Sequence, residues 1–149
     1  MKLIIVGGVA GGASAAARAR RFSDEAKILV IEPGPDVSFA NCGLPYHIGE
    51  VIAERDKLLV TTAERLRERF KLDARPNSEV QSIDRTSKTV RIYDLKSGKQ
   101  YDEVYDKLIL APGASPIQPA LPGADLPNVL PARCWPPTVA WSTMAWNER

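Results

Sequence analysis

The chain has 149 residues, enough for one well-cored domain and too few for two or three. Its 44% hydrophobic and 26% charged residues are those of an ordinary globular protein, and 20 basic against 18 acidic residues leave a net charge of +2. Cations lie among acids, as in Glu64-Arg65-Leu66-Arg67-Glu68-Arg69, which excludes the concentrated basic stripe of a nucleic-acid binder.

Lys2-Leu3-Ile4-Ile5-Val6 is almost wholly apolar and ends at Gly7-Gly8, the pattern of a buried parallel strand. Ala10 to Phe22 is alanine-rich with arginines at its end, which predicts a helix with favourable C-terminal charge. Ala26 to Ile31 predicts a second buried strand, ending at Glu32 and broken by Pro33-Gly34-Pro35. Together they make one βαβ unit of about thirty residues. A loop carrying Cys42 follows, then an amphipathic helix around Ala63 to Phe70. Glu79 to Tyr105 holds alternating runs, Val80-Gln81-Ser82-Ile83 and Thr89-Val90-Arg91-Ile92-Tyr93, joined by a Ser97-Gly98 turn, and predicts a small antiparallel meander. Lys107 to Ala111 predicts another buried strand, closed by Pro112-Gly113. The expected fold class is α/β, with a parallel sheet, helices and a β-meander.

From Pro131 onward Trp135, Trp141 and Trp146 crowd together with Pro136 and Pro137, and no periodicity survives. Two readings of this tail stand: a segment foreign to the fold, through a reading-frame change or truncation, or an extension that packs on a partner. Cys42 and Cys134 lie far apart, so no disulfide framework is expected. His47 is the one histidine, and no Cys/His cluster has metal-ligand spacing. Leu3 to Gly12 is too short to span a bilayer, no leader precedes it, and a cytoplasmic protein is expected.

The turn after the first strand, Gly7-Gly8-Val9-Ala10-Gly11-Gly12, matches G-x-G-x-x-G at Gly7 and Gly12 and departs from it at Val9. Gly7 permits the tight turn, Gly12 lets helix and strand approach, and the helix N-terminus offers N–H groups and positive dipole to a pyrophosphate. Glu32 stands where a carboxylate would accept hydrogen bonds from a ribose. The expected ligand is a dinucleotide, with NAD and FAD both open at this point.

Ser38-Phe39-Ala40-Asn41-Cys42-Gly43-Leu44-Pro45-Tyr46, followed by Ile48-Gly49-Glu50, resembles the single-cysteine branch of the FAD-dependent pyridine nucleotide-disulfide oxidoreductases. That branch includes coenzyme A-disulfide reductases, NADH oxidases and persulfide reductases. Its members also open with Gly-x-Val-Ala-Gly-Gly, so Val9 belongs to the branch pattern. The resemblance covers residues 2 to about 130. It implies a Rossmann-like, partial FAD-binding domain over 1–130 and an atypical tail over 131–149.

The resemblance also implies roles. Cys42 would be the nucleophile that alternates between thiolate and mixed disulfide or sulfenate beside the flavin, and the thiolate is the form that attacks disulfides. FAD would contact Gly7, Val9, Ala10, Gly11, Gly12 and Glu32, and also Ala111, Pro112 and Gly113, where Pro112 replaces a frequent threonine. Coenzyme A would contact Ser14, Arg18, Arg21, Ser38 and Asn41. Phe70 lies near a place where some members carry a lysine to the substrate. NAD(P)H would donate the electrons, and full-length relatives are expected to be homodimers with further domains.

Other chemistries find less support. In a helical segment Cys42 and His47 would point about 140° apart, so a hydrolytic Cys-His pair fails and a packing role for His47 is expected. Ser14 lacks the second glycine of a nucleophile elbow, since Ala16 stands there. No Tyr-x-x-x-Lys pair supports a short-chain dehydrogenase. The remaining alternative is a truncated, catalytically inactive nucleotide-binding remnant.

Overall fold

The computed structural model describes residues 1–114, 117, 119–126 and 129. A four-stranded, all-parallel sheet is built from β1 (Lys2–Val6), β2 (Lys27–Glu32), β3 (Asp73–Pro76) and β7 (Lys107–Leu110), in the order β3-β2-β1-β7. The antiparallel meander is β4 (Ser78–Asp84), β5 (Thr89–Asp94) and β6 (Gln100–Val104), with β5 in the middle. Helices α1 (Ala10–Phe22), α2 (Leu44–Ile48) and α3 (Ala63–Phe70) complete the fold.

Successive side chains of a strand point to opposite faces, and here both faces are covered. Leu3, Ile5, Ile28 and Val30 pack with Ala16 of α1 and with Ala63 and Leu66 of α3. Ile4, Leu29 and Ile31 pack with Val90 and Ile92 of the meander. That three-layer arrangement explains why β1 and β2 read as continuous apolar runs and not as alternating ones.

The amphipathic helix starts at a conventional cap: the Thr62 hydroxyl oxygen accepts from the Arg65 N–H at 3.3 Å. It stops at Lys71, in left-handed backbone with φ 50°.

The structure differs from the sequence reading in two places. The Ser97-Gly98 turn joins β5 to β6, whereas β4 and β5 are joined by residues 85–88, where Lys88 takes a φ of 51°. And β3 has no counterpart in that reading. Its sequence, Asp-Ala-Arg-Pro, is charged and ends in proline, a poor strand by propensity. It is a strand because it pairs with β2, Leu29 opposite Asp73 and Ile31 opposite Arg75, on an edge where Pro76 needs no donor. The tail over 131–149 lies outside the described residues, as do Ser115 and Pro116.

Candidate nucleotide and thiol site

The turn after β1 sits at the carboxyl ends of the parallel strands, where open α/β sheets hold ligands. Gly7 has φ 95°, and a Cβ on it would run into the carbonyl of Ala111, at the end of β7. A Cβ on Gly12 would run into the Gly7 carbonyl. Ala111 N–H donates to the Val6 carbonyl at 2.8 Å and fixes that end of β7 across the turn. Gly7, Val9, Ala10, Gly11, Gly12, Ala111, Pro112 and Gly113 therefore converge on one rim of the sheet.

Val9 precedes α1 without giving it a side-chain cap, and no acid lies in the helix's first turn. The leading N–H groups and the positive end of the helix dipole are left without a side-chain anion. Ala10 and Gly11 are exposed and small. These residues fit a diphosphate.

Glu32 is buried at 8% exposure, and its two carboxylate oxygens accept from Gly8 N–H at 2.7 Å and Gly34 N–H at 2.9 Å. It ties the nucleotide turn to the loop beyond β2. Any ribose hydroxyl it accepts shares oxygens that already hold the backbone.

The cysteine loop is fastened to this turn. Ser38, with φ 52°, donates its N–H to the Gly8 carbonyl at 3.0 Å, and its own carbonyl accepts from Val60 N–H at 2.9 Å. Ala40 N–H donates to Leu58 at 2.7 Å, and Phe39 bridges Leu59. Asn41–Gly43 forms one tight turn, where Gly43 lies against Leu58 with no room for a Cβ. Cys42, in that turn, is an exposed free thiol just ahead of α2. Asn41 is exposed beside it. His47 sits on α2 with Nδ1 2.6 Å from the Ile52 carbonyl.

A cleft of about 520 Å³ opens between α1 and α3. Ser14, Ser38, Thr61, Arg65, Arg69 and Phe70 are among its lining residues. Of the residues that the resemblance marked for coenzyme A, Ser14 and Ser38 meet here. Arg18, Arg21 and Asn41 are not in the lining; the Arg18 guanidinium lies 4.5 Å from the Phe22 ring.

Sequence reasoning passed over Arg20. It is only 9% exposed, and its guanidinium donates to the carbonyls of Phe70 (2.9 Å), Lys71 (2.9 Å), Ser23 (3.0 Å) and Asp24 (2.6 Å). It thereby staples the ends of α1 and α3, the two walls of the cleft. The signal was available: positions 13, 16 and 20 share the buried face of α1, and one of them is an arginine.

A nucleotide turn with an uncapped helix, joined by backbone hydrogen bonds to the loop that carries an exposed thiol, has the form of a dinucleotide-binding α/β fold with a cysteine beside the turn. Comparison with known proteins agrees. Residues 1–135 match the family of pyridine nucleotide-disulphide oxidoreductases, and the chain belongs to that family. Coenzyme A disulfide reductase of Staphylococcus aureus (strain JH9) is 45% identical over 114 residues, which are 76% of this chain and 26% of the relative. Reduced Bacillus anthracis CoADR-RHD superimposes with a TM-score of 0.79 at 56% identity, over 82% of this chain and 22% of that one. A NAD-dependent persulfide reductase from A. fulgidus gives 0.77 at 35% identity, over 81% and 22%. The chain thus spans about a quarter of the length of the curated relatives it matches. Among the described residues no helix is long and apolar enough to cross a membrane.

Proposed function

We propose that this chain is the FAD-holding front part of a coenzyme A-disulfide-reductase-like oxidoreductase of the cytoplasm, with Cys42 as its nucleophile. The observation that carries the reading is the Ser38 N–H to Gly8 carbonyl bond, which ties the cysteine loop to the nucleotide turn. In this reading residues 1–130 are part of the FAD-binding domain, and full-length relatives act as homodimers.

Gly7, Gly12 and the leading N–H groups of α1 bind the diphosphate, Val9, Ala10 and Gly11 leave room for it, and Ala111, Pro112 and Gly113 close the rim. Glu32 orients the ribose while holding Gly8 and Gly34. Ser14, Ser38, Asn41, Arg18 and Arg21 receive the substrate. The Cys42 thiolate attacks one sulfur of a small disulfide; a mixed disulfide forms on Cys42 and one thiolate leaves. FAD, when bound, supplies the two-electron chemistry that brings reducing equivalents from NAD(P)H to that sulfur. Resolution then returns Cys42 to thiolate and releases the second thiol. Persulfides or oxygen species are acceptors of the same site chemistry.

The test is disulfide-dependent NAD(P)H oxidation by the whole protein. Cys42→Ser is expected to retain FAD and lose at least about 10³-fold in kcat, the scale of losing a covalent nucleophile. Full coenzyme A disulfide turnover by Cys42→Ser would sink the proposal. An inactive nucleotide-binding remnant is the second reading. The apolar side chains left exposed at Leu110 (59%), Ile117 (94%) and Leu121 (64%) favour it. It predicts a colourless protein after incubation with FAD, where the first reading predicts a bound yellow chromophore.

A further inference from the structure

The cleft between α1 and α3 draws its positive charge from α3. Arg65 and Arg69 both line it, and a spacing of four residues puts them on one face of that helix, one turn apart. Among the described residues no salt bridge engages either guanidinium; the nearest aromatic partner is the Phe70 ring, 5.6 Å from Arg69. Glu68 is the one carboxylate in the lining. Leu66 and Phe70 add apolar surface to the same lining, and Ser14 and Ser38 add hydroxyls.

This is a recognition surface for a ligand that combines phosphate with a flat or aliphatic body. Guanidinium groups grip phosphate oxygens in a bidentate fork, which an ammonium cannot do. Two guanidinium groups outside any salt bridge, one of them 5.6 Å from the Phe70 ring, suit a phosphorylated nucleotide. Resting on the proposed coenzyme A-type substrate, we propose that Arg65 and Arg69 are the phosphate-binding residues of this cleft and determine its selectivity for phosphorylated thiols.

The experiment measures binding of coenzyme A and of adenosine 3′,5′-bisphosphate to the whole protein by calorimetry at two salt concentrations. Wild type is compared with the double variant Arg65→Ala/Arg69→Ala, with Arg65→Lys/Arg69→Lys, with Glu68→Gln and with Arg85→Ala. The double alanine variant is expected to bind both ligands about 10- to 30-fold more weakly, with a shallower salt dependence. The lysine pair should recover only part of the loss, Glu68→Gln should tighten binding about 2- to 5-fold, and Arg85→Ala, an exposed arginine between β4 and β5 and outside the cleft lining, should change little. All these side chains are exposed, and circular dichroism verifies that each variant folds. Wild-type binding with an unchanged double alanine variant, or an equal loss from Arg85→Ala, overturns this inference and leaves the proposed function standing. Wild type that takes up FAD but binds neither phosphorylated ligand overturns the coenzyme A reading and this inference with it.

Discussion

Arg20 shows how one side chain can hold two elements in register. Its guanidinium satisfies four backbone carbonyls at and just beyond the C-terminal ends of α1 and α3, where carbonyls run out of intrahelical partners. Replacing it removes charge-assisted hydrogen bonds and strands partly buried carbonyls. Arg20→Ala is therefore expected to destabilise the protein by about 3 kcal/mol, read as a lower urea midpoint at unchanged slope, with Arg20→Lys intermediate. A cost below about 0.5 kcal/mol would mean that water replaces the staple. At this same scale Gly7 and Gly12 were legible in the sequence, because their requirement is local: a tight turn, and a helix packed on a strand. Arg20 was not recognised, because two of its four partners are carbonyls some fifty residues away in the chain. Glu32 was read as a ribose acceptor, and its two backbone bonds likewise exist only once the loops are folded together.

The meander is clamped to the parallel sheet by charge. Arg75, on edge strand β3, pairs with Asp73 at 2.6 Å and with Glu103 of β6 at 2.7 Å, and donates to the Tyr101 hydroxyl at 3.2 Å; Lys2 of β1 pairs with Glu103 as well. Burial opposes charge on Glu103, but hydrogen bonds from Lys2 and Arg75 outweigh it and hold its carboxyl below the usual range. Asp102 is lowered too, by its bond to Arg91. With folded values below unfolded ones, the native state binds fewer protons in acid. The stabilisation is complete above the ordinary carboxylate value of about 4 and is lost as pH falls through the lowered folded values. Glu103→Gln should flatten the acid limb of stability below about pH 4 and cost about 1 kcal/mol at neutral pH, less in high salt. An acid limb identical to wild type would remove Glu103 from the clamp. The strands of this clamp were only partly visible in sequence. β4 to β6 carry alternating apolar residues, whereas β3 has none of that signal and is made a strand by its neighbour.

Across the whole molecule, the sheet brings the nucleotide turn after β1, the end of β7 and the cysteine loop to one rim. Anything that binds only the folded rim should raise stability by mass action. FAD at about one hundred times its dissociation constant is expected to add about 2.7 kcal/mol, several degrees in a thermal melt, and Cys42→Ser should show the same shift. A melt indifferent to FAD would count against the cradle.

The sequence by itself determined the βαβ unit, the glycine turn and the meander, and a resemblance in one loop marked its cysteine. Each of these is written in local periodicity or in steric demands that a short segment carries alone. Tertiary structure decided the β3 strand, the partners of Glu32 and Arg20, and the meeting of Arg65 and Arg69 with Ser14 and Ser38 in one cleft lining. Those depend on contacts between residues distant in the chain, and no residue's own propensity encodes who its neighbour will be.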